Sequence, residues 1–459
     1  MTNSTSARSG GRPDHPLTQL ELGALDILNT LRTRGHDAYW AGGCVRDKLL
    51  GRTPKDIDIV TSARPDQIAP LFSKTVAIGK AFGVIGVVRD GALYEVATFR
   101  KESLYSDGRR PDEVTFTDAR EDAQRRDFTI NALFYDPIEG QVLDFVGGRE
   151  DMRSKQIRAV GDPGRRFQED HLRMLRGIRF ASTLDFTMEA VTWNAIVQHA
   201  HLIARISPER IRDELVRILT ESVKPGFALR RLHDAGLLPV ILPEVDAMVG
   251  VEQPPEFHPE GDVFTHVCMM LDLMQQPTTE LALAVLLHDV GKPPTARVGP
   301  GRDGRDRIRF DTHDKKGADM AERILRRLRF PNALVSAVVQ CVRNHMRFMH
   351  VREMRRAKLR ALIASPTFDT ELELHRLDCL GSHGDLTNYH FLKEYRETLQ
   401  DEPALPDPWV RGDDLLALGV PEGPEIGRLL REAYAQQLEG HVEDRAALLD
   451  WLKTQIKKT

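Results

Sequence analysis

Asp56 and Asp58 stand two residues apart in Asp56-Ile-Asp-Ile-Val60. Ile57, Ile59 and Val60 are β-branched, so Asp56 to Val60 reads as a strand. Side chains alternate along a strand, so both carboxylates should project from one face. Paired carboxylates repel and raise each other's pKa unless a cation lies between them. Hard divalent cations such as Mg²⁺ take such ligands, usually one or two carboxylates together with substrate phosphates. Upstream, Gly42-Gly43 precedes Cys44 to Leu50, which reads as a short helix closed by Gly51. Glycines ahead of a helix let backbone N–H groups approach a phosphate. Alone, D-x-D is usually a solvated strand face. With the Gly-Gly and the intervening helix, Ala41 to Val60 offers a phosphate cradle beside a metal pair.

Further residues could join this chemistry. Glu95, on an expected strand Leu93 to Phe99, is the natural third carboxylate; the alternative is a cross-strand ion pair, for example with Arg100. Arg125, Arg126 and Asp127 precede an expected helix beginning at Phe128 and Ile130. An arginine fork donates two hydrogen bonds to a phosphate at once, and Asp127 could orient an arginine or accept from a ribose hydroxyl, although an ion-pair cluster would look the same. In Glu169-Asp170-His-Leu-Arg173-Met-Leu-Arg176-Gly-Ile-Arg179-Phe180, the spacing of three places Asp170, Arg173 and Arg176 on one helix face. An acceptor beside donors can read the edge of a base; an intrahelical ion-pair ladder is the plainer reading.

The elements that must position these groups follow from periodicity. Leu17 to Thr33 has helical apolar spacing, His36 to Ala41 reads as a strand, and Pro65 to Phe72 as a helix. Val84 to Val88 and Leu93 to Phe99 read as a hairpin turned by Arg89-Asp90-Gly91. The chain is α/β to about residue 150 and almost wholly helical from Gln168. Its 459 residues imply several domains. A net charge of −4 makes any RNA-binding surface local. Cys44, Cys268, Cys341 and Cys379 form no C-x-x-C pair, which argues against a disulfide framework and for a reducing, cytoplasmic setting. No apolar run is long enough for a membrane span, and residues 1–16 read as a polar disordered tail.

The ordered motifs GGCVRDKLLG, DID, GKAFGVIGVV, EVATFR, DGRRP, RRDFTINAL, DFVGGRED, EDHLRMLRGIRF and SPERIRDEL are similar to those of class II CCA-adding tRNA nucleotidyltransferases and bacterial poly(A) polymerases. The match covers roughly residues 25 to 245. The resemblance implies that Asp56 and Asp58 hold catalytic Mg²⁺, and that Gly42, Gly43 and Arg46 face a triphosphate. It implies that Arg126 and Asp127 bind the ribose and nucleotide, and that Asp170 and Arg173 pair with incoming CTP or ATP. Arg176 and Arg179 belong to the same nucleotide-binding helix. Glu95 matches the family's acidic position loosely. Asp144 to Asp151 resembles a flexible element that switches C to A addition, and Glu209-Arg210 the start of a supporting neck. Poly(A) polymerases carry a basic signature after the D-x-D strand; here Ile78 to Val87 has a single lysine, Lys80, as in the tRNA branch. The expected activity is addition of C and/or A to tRNA; a poly(A) polymerase, or a CC-only or A-only enzyme, is the alternative.

A second constellation follows. His266 lies in an expected helix Val263 to Leu273, and the apolar run Leu281 to Leu287 ends in His288-Asp289. Asp378 lies in Leu372 to Leu380, with His313 and His345 between. Imidazole with carboxylate suits Mg, Mn, Fe, Ni or Zn with open water positions. The set H…HD…D, spanning roughly 258 to 385, resembles the HD superfamily of metal-dependent phosphohydrolases; His313 and His345 resemble the added ligands of two-metal members. A different class of function, with the first half only an RNA scaffold for HD hydrolysis, also stays open, as does nucleotide signalling, against which the arginine-plus-acid helix at 169 to 179 speaks. Gly291 to Asp311 reads as a loop between helices. Arg323 to Arg360 carries eleven basic residues and one acid, Glu353, as a tRNA contact or a solvated face.

The expected architecture is a polymerase-β-like α/β nucleotidyltransferase head (17–150), an all-α neck and body (151–250), an HD-type helical domain (251–400) and a C-terminal helical tail (409–459). The expected partners are tRNA, CTP and ATP, with no DNA and no membrane. Nothing in the sequence fixes an oligomeric state.

Overall fold

The computed structural model describes residues 17–79, 82–103, 113–254, 258–300, 306–399 and 403–457. The expected tail 1–16, the DGRRP motif and Lys80 lie outside them. The chain divides into two compact units, Met1–Pro243 and Glu244–Thr459.

In the first unit, helix α1 (Gln19–Thr33) opens on a capping box in which Thr18 and Glu21 satisfy each other's backbone N–H groups. Strand β1 (Ala38–Ala41) runs into α2 (Gly43–Leu49), and β2 (Asp58–Thr61) into the short α3 (Pro65–Ile68). Strands β3 (Thr75–Gly79), β4 (Val84–Arg89) and β5 (Ala92–Thr98) follow, then a small pair, β6 (Arg100–Ser103) with β7 (Glu113–Phe116). Helix α4 (Ala119–Gln124) leads to β8 (Leu133–Asp136) and β9 (Gln141–Asp144). Among the described residues the main sheet has seven strands in the order β3-β4-β5-β2-β1-β8-β9. Only the β2–β5 pair within it is parallel. The β4–β5 hairpin closes on Asp90 and Gly91, both at positive φ (50° and 81°), as a two-residue turn matched to the sheet twist requires. Phe99, Phe134, Val60 and Ala41 fill the core under the sheet.

Helices then dominate: α5 (Gly148–Arg153), α6 (Pro163–Glu169), α7 (Arg173–Leu184), α8 (Ala190–His199), α9 (Pro208–Glu221) and α10 (Pro225–Asp234), with the short α11 (Leu238–Ile241) and α12 (Pro243–Asp246) after them. A two-residue pair, β10 (Gln156–Ile157) with β11 (Thr187–Met188), ties α5 to α7.

Three expectations change here. The D-x-D strand begins at Asp58, not Asp56: its partner β1 ends at Ala41, opposite Asp58, because Gly42 turns the chain away at φ 76°. Asp56 therefore lies on the extended approach to the strand. The helix expected from Phe128 is only a 3-10 turn, Thr129–Asn131, and the α-helix precedes Arg125 instead, capped by Asp118. The helix expected through 169 to 179 is broken. Asp170 is extended (φ −140°) and its Oδ1 accepts the N–H of Leu172 at 3.1 Å, so its short side chain competes with the helical pattern. Asp170 thus sits at the break ahead of α7, and Arg173, Arg176 and Arg179 on α7 itself.

In the second unit, α13 (Val263–Leu273) and α14 (Thr279–Leu287) pack with α15 (His313–Arg327), α16 (Asn332–Asn344), α17 (Arg356–Ile363), α18 (Phe368–Gly381) and α19 (Thr387–Glu397). Leu281 to Leu287 of α14 are all buried, as a helix apolar on every side must be. The loop expected over 291–311 contains a β-hairpin, β12 (Arg297–Pro300) with β13 (Asp306–Arg309). A small core around Leu415, Leu429 and Leu452 joins α20 (Gly412–Ala417), α21 (Pro424–Glu439) and α22 (Arg445–Ile456).

Candidate active sites

The first unit carries a cleft of about 840 Å³. Gly42, Gly43, Arg46, Asp56, Asp58, Glu95, Arg126, Asp127, Asp170, Arg173, Arg176 and Arg179 all line it, so these twelve candidate residues of the head and body share one cleft. Parallel pairing of β5 with β2, Ile59 opposite Val96, brings Glu95 beside Asp58. Desolvation, then the charges of Asp56 and Glu95, push Asp58 up to about 6, against the pull of Arg126. Three acids converging with that effect are a donor set suited to a hard divalent cation.

The basic wall is assembled by carboxylates. Asp122, fully buried in α4, binds Arg125 at 2.8 Å and Arg126 at 3.2 Å, both just past the end of that helix. This aims Arg126 at Gly42, where a Cβ would lie 3.0 Å from its Nη1. Only glycine suits that site, on grounds of both φ and space. Asn131 Oδ1 accepts Arg46 Nη1 at 2.7 Å. Glu214 on α9 holds Arg179 at 2.6 Å. Asp170 faces Arg210 at 2.9 Å, and Arg173 donates to Glu169 at 2.9 Å and to the Arg125 carbonyl at 3.0 Å. The turn Asp144 to Asp151 does not line the cleft. Asp144 accepts four backbone N–H groups, from Val146, Gly147, Gly148 and Arg149, which closes it as a local unit.

Of the two roles open to Asp127, orienting an arginine or accepting from a ribose hydroxyl, its bonding fits the first. Its Oδ1 accepts Phe128 N–H and Asn131 Nδ2, and its Oδ2 accepts Arg176 Nε at 2.8 Å and Nη2 at 2.6 Å. Four donors fill a carboxylate's four lone pairs, so Asp127 acts through Arg176. Burial would raise this carboxyl, but Arg176 outweighs it and holds the group at about 2. A depressed carboxyl stabilises the fold above its ordinary pKa, and that stability fades as pH falls through the folded value. Asp127→Asn should cost about 2 kcal/mol at pH 7, from a shift of roughly two units at 1.36 kcal/mol each. In urea unfolding, the gap from the parent should begin to close below pH 4.

In the second unit a cavity of about 370 Å³ is lined by His258, Asp289, Lys292, His313, His345, Asp378 and neighbours. Three groups of ligand atoms lie together among the described residues: His266, His288 and Asp378; Asp289, His313 and His345; and His258, Glu260 and His266. Three rings are oriented alike. Nδ1 of His288, His313 and His345 lies 2.9, 2.7 and 2.7 Å from the carbonyls of Val285, Phe310 and Val342. A carbonyl only accepts, so Nδ1 carries the proton and Nε2 presents a lone pair inward. Nε2 atoms of His313 and His345 then face each other at 3.1 Å, an arrangement a shared cation would satisfy. Burial, then the neighbouring His288, lowers His345 to about 4, so it is neutral and free to ligate. Asp289 Oδ2 lies 3.1 Å from His288 Nε2 and 2.7 Å from Lys292 Nζ. His313 and His345, set apart in the sequence from the H…HD…D set, stand in one cluster with Asp289.

The basic stretch 323 to 360 is partly neutralised. Arg326 pairs with Glu322, Arg327 with Glu244 and Arg343 with Asp319. Sequence reasoning passed over Asp122, Asn131 and Glu214, although Asp122 stands three and four residues before its arginines, a readable helical spacing. It also passed over Glu260.

The fold and the two clusters define a nucleotidyltransferase head followed along the chain by an HD domain. Residues 38–158 match the poly A polymerase head domain, residues 185–249 the "Probable RNA and SrmB- binding site of polymerase A", and residues 263–366 the HD domain. A CCA-adding enzyme of Lactobacillus johnsonii is 34% identical over 94% of this chain and 97% of its own length, and the chain belongs to that family. CCA-adding enzymes of Bacillus pumilus and Levilactobacillus brevis are 52% and 48% identical, over 43% and 49% of this chain. In those two comparisons the chain spans about half the relatives' length, 49% and 56%. A Bacillus stearothermophilus CCA-adding enzyme in complex with CTP superposes with a TM-score of 0.71 at 28% identity, covering 96% of this chain and 99% of that one. A Thermotoga maritima CCA-adding enzyme complexed with tRNA shares the fold, with a TM-score of 0.61 at 20% identity over 95% of each chain.

Proposed function

We infer that the protein adds C and A residues to the 3′ end of tRNA, using CTP and ATP and no nucleic acid template. The supporting observation is one cleft that sets Asp56, Asp58 and Glu95 beside the Gly42-Gly43 helix start and the arginines of α7. Asp56 and Asp58, with Glu95, would hold Mg²⁺, which when bound neutralises phosphate charge and activates the attacking hydroxyl. The N–H groups opening α2 and the Arg46 guanidinium receive the triphosphate. Arg126, fixed by Asp122, extends its fork along the phosphates. Asp127 keeps Arg176 pointed into the cleft. Asp170 and Arg173 each exchange a protein partner for the edge of cytosine or adenine, so side chains select the base. The tRNA 3′ hydroxyl attacks the α-phosphorus in line and pyrophosphate leaves.

The second unit is read as a metal-dependent phosphohydrolase whose His266, His288, Asp289, His313, His345 and Asp378 would hold divalent ions of the Mg, Mn, Ni or Zn class. Free, buried cysteines and a tRNA substrate favour a cytoplasmic setting. No described helix is long and apolar enough to cross a membrane.

The test is incubation with tRNAs lacking one, two or all three terminal nucleotides and labelled CTP or ATP. Three nucleotides should be restored on the shortest substrate. No label in any combination sinks the reading, and long adenosine tails on unrelated RNA replace it with poly(A) synthesis.

A further inference from the structure

Three of the four histidines in the HD cluster are aimed by a carbonyl three residues back, at a helix end where that carbonyl is within reach. His266 is different. It lies inside α13, where carbonyls are taken up by the helix, and its Nδ1 has only the Gly381 carbonyl at 3.4 Å. A carboxylate takes that place: Glu260 Oε1 lies 2.7 Å from His266 Nδ1. The same oxygen lies 2.9 Å from Nδ1 of His258, whose ring stands edge-on to His266 with centroids 5.1 Å apart. The Glu260 side chain is nearly inaccessible and that of His266 entirely so, although Glu260 as a whole residue is half-buried.

The backbone fixes this carboxylate. Asp262 caps α13 through the Thr265 N–H at 2.8 Å, and its other oxygen accepts the Gly250 N–H at 2.5 Å. Gly261, at φ 124°, makes the turn that returns Glu260 over the first turns of the helix. On its far side, His266 Nε2 lies 3.1 Å from Asp378 Oδ1.

We propose that Glu260 is a positioning residue of the HD metal site: its carboxylate accepts a hydrogen bond from the Nδ1–H of His266, so that Nε2, which faces Asp378 and His288, is the nitrogen left to hold the ion. His258 in turn holds Glu260. A carboxylate behind a metal-bound imidazole sets its orientation and raises its basicity. The inference rests on the reading that His266, His288 and Asp378 ligate a metal. An ion held directly by His258, Glu260 and His266 would instead need lone pairs on both Nδ1 atoms, leaving the His266 Nε2 proton against Asp378 and removing His266 from the HD set.

The experiment measures Mn²⁺ binding to the full chain by chelator competition, in an Asp58→Ala background that silences the head site. Glu260→Gln and Glu260→Ala should weaken one HD ion by about 10- to 100-fold, the alanine more, and leave the ion on Asp289, His313 and His345 unchanged. Loss of a merely structural contact would weaken both together. Where the alanine variant unfolds, the glutamine variant, of equal volume, carries the measurement; urea unfolding reports its fold. Unchanged Mn²⁺ affinity in a folded Glu260→Gln variant overturns the proposal, as does an affected ion that stays bound in an Asp378→Ala variant, which would place that ion on His258, Glu260 and His266 and make Glu260 a ligand. No Mn²⁺ on the Asp58→Ala parent instead overturns the underlying HD reading.

Discussion

Asp58→Ala should lower CTP and ATP incorporation by about 10³-fold while leaving tRNA affinity almost unchanged. A bound divalent ion contributes several kcal/mol of charge stabilisation at the transferring phosphate, and each 1.36 kcal/mol is a factor of ten in rate. Asp58 opens β2 and is the acid that Asp56 and Glu95 crowd, so its loss disperses the donor set. RNA affinity depends chiefly on phosphate contacts spread over the surface and does not use this carboxylate. The same geometry gives an opposite effect on stability. A carboxyl raised to about 6 from an ordinary 3.8 binds its proton more tightly in the folded chain. Stability is therefore lost as pH rises from about 4 to about 6. Asp58→Asn removes that charge and should raise the melting temperature of chelator-treated protein at pH 8. Single-turnover incorporation, filter binding of tRNA and calorimetry read the three quantities. Incorporation within tenfold of the parent would remove Asp58 from the chemistry.

The head was legible because its signals are local. Gly42-Gly43, the D-x-D pair and the alternating apolar residues of β4 and β5 lie within short windows where period and turn chemistry are decisive. Glu95 could be placed next to Asp58 only on the assumption of adjacent strands, which the β2–β5 pairing supplies. The break at Asp170 was not legible. Spacing of three suits a continuous helix, and only the pull of Asp170 on the Leu172 N–H, with Arg210 from α9 on its other side, reveals the interruption. The D-x-D strand was extended two residues too far for a related reason: a strand ends where its partner turns away, and that partner lies fifteen or more residues upstream. The role of Asp127 depends on counting donors from Asn131 and α7, which sequence spacing does not show. In the second unit, the H…HD…D order and the uniformly apolar α14 gave the cluster away. The hairpin β12–β13 did not stand out, because its strands carry Gly, Pro and Arg in place of an alternating apolar face. Glu260 escaped because its link to His266 crosses a turn at Gly261, a spacing of six that belongs to neither helix nor strand.

Asp289→Ala should abolish metal-dependent phosphatase activity and unsettle the second unit, while CTP incorporation by the head stays intact below the melting temperature. Asp289 is almost fully buried and meets Lys292 Nζ at 2.7 Å, His288 Nε2 at 3.1 Å, and Nε2 of His313 and His345 at 3.6 and 3.9 Å. Burial would raise its carboxyl, but His288 and Lys292 hold it well below the usual range. Removing one member of a buried, hydrogen-bonded ion pair costs about 3–5 kcal/mol, because the partner charge remains without compensation. Here the stranded group is the Lys292 ammonium, left with Gln253 Oε1 at 2.7 Å. Asp289→Asn keeps the volume and an acceptor, so it should unfold less readily yet lose the metal equally, since a neutral amide is a poor ligand beside three imidazoles. Metal content by elemental analysis, hydrolysis of a phosphomonoester with added Mn²⁺ or Ni²⁺, and CTP incorporation separate the two units. An Asp289→Asn protein that retains both bound metal and hydrolysis would remove Asp289 from the metal site. A protein that loses hydrolysis but keeps full incorporation would show two independent chemistries on one chain, one building an RNA end and the other acting on phosphate esters.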